Sequence, residues 1–157
     1  MVKRRWKILY FLEKNKGGVN LRNINYKYID EFDKNDLKEL YEDAGWTTYT
    51  KDLSKLIKAI KLSLMTISAW DGDKLVGLIR VVGDGQTIIY IQDILVLDSY
   101  KRNGIGSKLL SLILDKYKDV RQKVLLTNDS EETRGFYQSN GFNSCDRGEL
   151  VAFVNFN

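Results

Sequence analysis

The chain has 157 residues, which suits one domain with its own core. Its formal charge is +4, and 43% hydrophobic with 29% charged residues is the composition of an ordinary soluble globular protein. The absence of histidine excludes the usual zinc sites and a histidine general base, and a single cysteine excludes an internal disulfide framework. No apolar run approaches the length of a membrane span, so the cytoplasm is the default location.

The first 18 residues form a basic segment, expected to be an extra strand or a tail. Residues 6–12 and 19–29 are both strand-like, and Gly17-Gly18 between them suggests a hairpin. Aromatic and basic residues interleave here, as in a nucleic-acid-binding arm, but the modest net charge argues against that use. Residues 19–157 are expected to form the single domain.

Two amphipathic helices are predicted next. Asp33 or Asn35 is placed to cap a helix that runs through about Asp43, and Gly45 is placed to end it. Residues 46–50 are predicted to be a loop. A second helix is predicted over residues 51–62, where apolar residues recur at helical spacing.

An antiparallel meander follows. Strands are predicted at 64–70, 74–82 and 87–97, with turns at Asp71-Gly72-Asp73 and Gly83-Asp84-Gly85. The long third strand leads through a glycine-bearing turn into a helix that reaches about Lys118.

The remaining elements complete one sheet. They are a strand at 123–127, a helix capped by Asp129 or Ser130 and ended at Gly141, and a last strand at 150–156. Antiparallel strands that feed one strand-helix-strand crossover predict an α/β fold. The expected architecture is a mixed, mostly antiparallel sheet flanked by about four helices.

The turn between the long strand and its helix has the character of a phosphate site. It reads Lys-Arg-Asn-Gly-Ile-Gly-Ser at 101–107, and a glycine turn at a helix start presents free backbone N–H groups beside the positive end of the helix dipole. A dinucleotide fingerprint is excluded because Leu109 stands at the third glycine position, and the phosphate loop of nucleotide triphosphatases is absent.

The segment consists of an apolar strand, then a basic residue followed by x-x-G-x-G, then a helix. This order resembles the acetyl-CoA-binding motif of the GNAT family of N-acetyltransferases. Lys101 stands where that family usually has glutamine or arginine, so the charge is kept without the planar fork. Phe136-Tyr137-Gln138-Ser139-Asn140-Gly141-Phe142 is similar to the family's F-Y-x-x-x-G-F. The two motifs together span roughly residues 90–142. The resemblance implies direct acetyl transfer from acetyl-CoA to a primary amine, expected to belong to a small molecule.

The resemblance also implies which residues bind acetyl-CoA. The strand before the turn is expected to splay from its neighbour and offer backbone groups to the amide-rich arm of the cofactor, with an N–H aimed at the thioester carbonyl. The turn is expected to bind the pyrophosphate. The cofactor-binding residues so predicted are Ile94, Leu95, Val96, Lys101, Arg102, Asn103, Gly104, Ile105, Gly106, Ser107 and Lys108.

Tyr137 and Asp93 are the predicted catalytic residues. Tyr137 matches the tyrosine that many GNAT enzymes use to protonate the leaving thiolate, and a phenol is protonated at neutral pH. Asp93 is the candidate for amine deprotonation; a structural hydrogen-bond acceptor and a water chain are the alternatives. Asp93 faces away from Tyr90 unless a bulge intervenes between them. Cys145 is expected to be an inert thiol, since no histidine can activate it.

The predicted acceptor-binding residues are Trp46, Tyr49 and Tyr90. In GNAT proteins the connection between the first two helices borders the acceptor pocket; packing of Trp46 and Tyr49 onto the core is the alternative. Three functions stay open at this point: the N-acetyltransferase, a non-catalytic module that binds acetyl-CoA, and an acetyltransferase acting on a protein amine. No nucleic acid, membrane or metal partner is expected, and a homodimer is left open.

Overall fold

The computed structural model describes residues 23–29 and 31–156. The basic segment 1–18, the strand predicted at 6–12 and the beginning of the one predicted at 19–29 lie outside these residues. The chain divides into two compact units, with the boundary between Leu125 and Leu126.

The first unit is built on a five-stranded sheet in the order β1-β2-β3-β4-β5. The first four strands are antiparallel to their neighbours, and β5 is parallel to β4. The strands are β1 Ile24–Tyr28, β2 Met65–Asp71, β3 Lys74–Gly83, β4 Ile88–Val96 and β5 Gln122–Val124. The helices are α1 Lys34–Asp43, α2 Thr47–Thr50, α3 Leu53–Lys61 and α4 Ile105–Lys116. The predicted mixed, mostly antiparallel sheet is confirmed.

Helices α1 and α4 cover opposite faces of this sheet. On β3, Arg80 points to the face where Tyr41 of α1 lies, because both side chains bond to Asp93. Gly77, three residues earlier, points the other way, and a Cβ there would lie 3.5 Å from Cγ2 of Ile105 in α4. We call these the α1 face and the α4 face.

Local capping chemistry sets both ends of α1. Asp33 accepts a hydrogen bond from the N–H of Asn35 at 2.7 Å, and Gly45 follows α1 with a left-handed φ of 76°.

The loop prediction for residues 46–50 was wrong, because Thr47–Thr50 form a short helix. Its threonines have little helix propensity, but the rings of Trp46 and Tyr49 pack 5.8 Å apart and hold the turn.

A β-bulge interrupts the pairing of β3 with β4. Arg80 opposes Asp93 while Val81 opposes Ile91, so Gln92 is an extra residue on β4. Side chains alternate along a strand, and the extra residue reverses that alternation. Tyr90 and Asp93 therefore both lie on the α1 face, which is the arrangement that required a bulge.

The second unit, described over residues 126–156, contains helix α5 at Glu131–Ser139 and no strand. Ser130 caps α5 by accepting from the N–H of Thr133 at 3.1 Å, as predicted. The strand predicted at 150–156 was wrong: these residues are exposed and lack regular structure, and Phe153 is 92% exposed. A strand is stabilised by the ladder it shares with another strand, and this unit offers none within its described residues.

The carboxylate of Asp84 holds the turn that joins β3 to β4. One oxygen of Asp84 accepts from the backbone N–H groups of Gln86, Thr87 and Ile88, and the other accepts from the Thr87 hydroxyl at 2.7 Å. These bonds, the hydroxyl first, hold the pKa of Asp84 well below its usual 3.8. Asp84 therefore stabilises the fold above pH 3.8, and its contribution is lost as the pH falls through the lower folded pKa.

We expect Asp84→Ala to lower the melting temperature by a few degrees at neutral pH, because four hydrogen bonds to a carboxylate are lost. The difference from wild type should shrink below pH 3.8, when followed by thermal melts from pH 2 to 7. Asp73→Ala, in the turn between β2 and β3, is the control and should shift little. A difference that stays constant across the range would contradict the assignment.

Candidate active site

Strand β4 is paired with β5 only over its first three residues. The parallel pairing joins Ile88–Tyr90 to Gln122–Val124 and ends at Tyr90. On its other side β4 stays paired with β3 as far as Val96. β5 therefore supplies no partner to the backbone of residues 91–96, where the predicted residues Ile94, Leu95 and Val96 lie. Such an edge can accept an extended chain as an added strand.

The turn that follows β4 leads into α4 through two left-handed residues. Arg102 has φ 61° and Gly104 has φ 75°. The side-chain amide of Asn103 closes the turn by donating to the carbonyl oxygens of Tyr100 and Lys101, at 3.1 and 3.2 Å. α4 then begins at Ile105 with no side chain capping its N–H groups. Three backbone donors at the positive end of the helix dipole form a ready site for an anion.

Not all of the predicted turn residues expose their side chains to solvent. Ile105 is 2% exposed, so it anchors α4 in the core and offers only its backbone N–H. Lys101 lies 2.9 Å from Oδ1 of Asp98, and this ion pair lowers the pKa of the Asp98 carboxyl. Arg102 is exposed on the same turn, as is Ser107 in the first turn of the helix.

Asp93 lies in a buried hydrogen-bonded network. Its Oδ2 accepts from Nε of Arg80 at 2.5 Å and from the hydroxyl of Tyr41 at 2.7 Å, while Arg80 and Asp93 are 5% and 1% exposed. The Nη1 of Arg80 also donates to Oγ of Ser63 at 3.3 Å. Burial and the charge of Asp93 raise the pKa of Tyr41, so this phenol stays protonated and donates. The geometry matches the structural-acceptor alternative for Asp93.

Two buried oxygens on the α1 face lack partners within the described residues. They are Oδ1 of Asp93 and Oγ1 of Thr66. Thr66 opposes Arg80 across β2 and β3, and Arg80 opposes Asp93 across β3 and β4. The three side chains thus form one polar row across β2, β3 and β4.

The predicted acceptor residues lie beside the bulge. Trp46 and Tyr49 pack with Tyr41 as a three-ring cluster, with centroids 5.7 to 6.2 Å apart. The side-chain amide of Gln92 donates to the hydroxyl of Tyr49 at 3.3 Å. Trp46 is half-buried and Tyr49 is 37% exposed. Tyr90 is half-buried on the same face of the sheet.

Tyr137 belongs to α5 in the second unit. Its ring packs edge-on between Phe136 and Phe142, with centroids at 5.0 and 5.8 Å. The carbonyl oxygen of Tyr137 accepts the backbone N–H of Phe142 at 3.0 Å, which folds the end of the motif back onto the helix. The F-Y-x-x-x-G-F pattern therefore forms one aromatic cluster that fixes the ring of Tyr137.

Sequence reasoning missed Arg80, Tyr41 and Gln92. A signal for Arg80 was present, since it is the one charged residue within Leu75–Val82 and Asp93 is the one within Ile88–Val96. A lone charge in a core strand needs a partner, and two opposite charges in neighbouring strands are natural candidates. Tyr41 offered no comparable signal, because it reads as an apolar position of an amphipathic helix.

The chain belongs to the GNAT family: the model of the acetyltransferase (GNAT) domain matches residues 37–156. An acetyltransferase of the GNAT family from Streptococcus pneumoniae TIGR4 is 37% identical and superimposes with a TM-score of 0.76, over 85% of this chain and 98% of that one. The uncharacterized N-acetyltransferase ycf52-like from Prochlorococcus marinus is 28% identical over 82% of this chain and 72% of its own length. The family, the fold and the assignment as an acetyl-CoA-dependent acetyltransferase are therefore confirmed.

A more distant structure shares the fold alone. It is an aminoglycoside acetyltransferase from an uncultured soil metagenomic sample, solved with sisomicin, 19% identical with a TM-score of 0.64 over 85% of this chain and 95% of that one. In the part of this chain that the structure describes, no helix has the length and apolarity to cross a membrane. The same residues bring no three potential metal ligands together.

The buried network can be tested through Tyr41. We expect Tyr41→Phe to lower the free energy of unfolding by about 2 kcal/mol, because a hydrogen bond to a charged, buried group is lost. Tyr49→Phe is a matched control, since its hydroxyl lies at the surface and should change stability by less than about 0.5 kcal/mol. Urea titration of both variants measures the difference; equal effects would place the hydroxyl of Tyr41 outside the stabilising network.

Proposed function

We propose that this protein is an N-acetyltransferase that passes an acetyl group from acetyl-CoA directly to a primary amine of a small molecule. The observation that carries the proposal is the separation of β4 from β5 over residues 91–96, in the strand that leads to the glycine turn of α4. An open strand edge suits an amide-rich chain, and the uncapped helix end that follows suits a pyrophosphate. Membership of the GNAT family supports the same reaction.

The residues that hold the donor divide into two groups. Backbone groups of Ile94, Leu95 and Val96 pair with the pantetheine arm, and an N–H of this segment polarises the thioester carbonyl. The turn binds phosphate through the backbone N–H groups of residues 102–107 and the guanidinium of Arg102. Lys101 and Lys108 add positive charge at the same end of the helix.

Proton transfer is assigned to two side chains. Tyr137 donates its phenolic proton to the departing thiolate, a role supported by its place in the motif and by the two phenylalanines that orient its ring. Asp93 takes part in removing the amine proton, and its Oδ1 is the oxygen without a partner in the described residues. Its Oδ1 is buried and its Oδ2 already accepts from Arg80 and Tyr41, so a route relayed through water is better supported than direct abstraction.

The acceptor is proposed to lie against Trp46, Tyr49 and Tyr90, with the protein in the cytoplasm. The exposed part of the Trp46–Tyr49 pair offers an aromatic surface, which attracts cations as well as apolar groups. The aminoglycoside acetyltransferase of the same fold supports a small-molecule acceptor. A panel of amines assayed by thiol release distinguishes this function from a binding module, and peptide amines in the same panel test a protein acceptor.

Arg102 tests the donor site. We expect Arg102→Gly to weaken CoA binding by about tenfold, because a charge-assisted bond to phosphate is lost. Glycine accepts the left-handed φ of 61° without strain, so the turn is preserved. Calorimetric titration with CoA and with pantetheine, which lacks the pyrophosphate, measures the effect.

Arg102→Ala is the matched variant, since it removes the same charge and keeps a Cβ in the strained turn. Both variants should lose affinity for CoA equally and keep their affinity for pantetheine. A loss for pantetheine as large as for CoA would assign Arg102 a structural role. Absence of acetyl-CoA binding by the wild type would overturn the proposed function.

Tyr137→Phe separates the enzyme from a binding module. Ring packing is kept and only the proton donor is removed, so melting should barely change. We expect kcat to fall by about 10²–10⁴-fold. Acetyl-CoA affinity should stay within a few-fold, because the lost interaction belongs mainly to the transition state.

Phe136→Leu, which disturbs packing beside the same ring, is the control. Its loss of activity should follow its loss of stability. If Tyr137→Phe shows that same proportion, Tyr137 is a packing residue.

A further inference from the structure

We propose that the buried Arg80–Asp93 pair selects the bulged register of β4 and so keeps the strand beyond Tyr90 apart from β5. This makes Arg80 and Asp93 positioning residues for the donor site. The inference rests on the proposed function for its link to acetyl-CoA, whereas the effect on register stands on the sheet alone.

The bulged register has one simple competitor. Counting onward from the pair Val81–Ile91 without an extra residue would place Gln92 opposite Arg80 and Asp93 opposite Ile79. Because a shift of one residue exchanges the faces of a strand, Asp93 would then point to the α4 face. Arg80 would stay on the α1 face without its partner.

The α4 face cannot accommodate that carboxylate. α4 buries Ile105, Leu109 and Ile113 in the core, and each is at most 2% exposed. A carboxylate among them would be a buried charge without a counter-ion, which is strongly unfavourable. The straight register is therefore disfavoured by the same side chain that the bulged register satisfies.

In the bulged register both charges are matched. Arg80 meets Asp93 directly across the strands at 2.5 Å, Tyr41 adds a hydrogen bond at 2.7 Å, and Ser63 accepts from the second nitrogen of Arg80. A buried ion pair adds little to stability compared with apolar side chains of the same volume. Its best-attested contribution is to specify register, which is the role assigned here.

The position of the bulge links register to the donor site. Gln92 comes two residues after Tyr90, the last residue of β4 that pairs with β5. A bulge bends its strand and increases its twist, which directs the following residues away from the neighbour. Ile94, Leu95 and Val96 are those residues.

The test replaces the network as a whole. The triple variant Tyr41→Phe/Arg80→Met/Asp93→Leu removes both charges and the hydroxyl that bonds to them. No buried charge is left unpaired, so we expect it to fold with a melting temperature close to that of wild type. Cross-strand NOEs report the register: wild type should connect residues 80 and 93. The triple variant should lose that contact and bind acetyl-CoA at least tenfold more weakly.

Three controls isolate the cause. Thr66→Val changes a buried polar residue of the same row outside the pair, and should keep both the register and the affinity. Deletion of Gln92 removes the bulge while retaining the Arg80–Asp93 pairing, so it shows what loss of the bulge alone does to binding. Gln92→Ala keeps the bulge and removes only the bond to Tyr49.

A triple variant that keeps the contact between residues 80 and 93 would overturn the proposal, as would one that loses it and binds acetyl-CoA like wild type. Should the triple variant fail to fold, Asp93→Asn decides in its place. Its amide can still bond to Arg80 and Tyr41 and is still costly on the α4 face, so the register should be kept; a straight register in this variant would overturn the proposal. Absence of acetyl-CoA binding by wild type would refute the proposed function and leave the NOE result standing.

Discussion

Two opposite charges on neighbouring strands constrain the centre of this sheet. Neither Arg80 nor Asp93 can be buried alone, and each reaches the other only when β4 carries one residue more than β3 at that point. This constraint fixes the register of the whole strand and not just one contact. The bulge decides which face of the sheet each later side chain of β4 points to. Tyr90 and Asp93 share the α1 face for this reason, and Ile94 and Val96 are directed to the α4 face.

One strand consequently supplies the parts of the site in the first unit. The α1 face of β4 lies against Tyr41, and Gln92 at the bulge reaches the hydroxyl of Tyr49. Beyond Tyr90, the edge of β4 is no longer paired with β5. The end of β4 leads through a 3₁₀ turn at Asp98–Tyr100 and a left-handed turn to the free N–H groups of α4. In the proposed function, an acceptor on the face and a donor along the edge would meet at the bulge, and the geometry of transfer would depend on where that extra residue falls.

What could be predicted from the sequence follows from how local each feature is. The cap at Asp33, the glycine at position 45 and the turn before α4 depend on residues within a few positions, and these were predicted correctly. The mixed sheet followed from the order of strands and helices. The bulge could be stated only as a condition, because it depends on the partner of Asp93 in another strand. The predictions for residues 47–50 and 150–156 were wrong for the same reason. Whether the first forms a helix depends on ring packing, and whether the second forms a strand depends on pairing with another strand; neither can be read from nearby residues.

The contacts of Lys101 in this turn explain how a lysine can stand where the family pattern has glutamine or arginine. A lysine amine lacks the planar fork that would fix it on a phosphate, and here it lies 2.9 Å from Asp98. Both side chains are exposed, at 50% and 76%, and exposed ion pairs of this kind contribute little. A pyrophosphate, with more charge than one carboxylate, can therefore draw the amine away from Asp98 at small cost. In the proposed donor site, recognition of phosphate would then depend chiefly on the backbone donors of α4, whose positions are fixed by the left-handed Arg102 and Gly104 and by the buried Ile105.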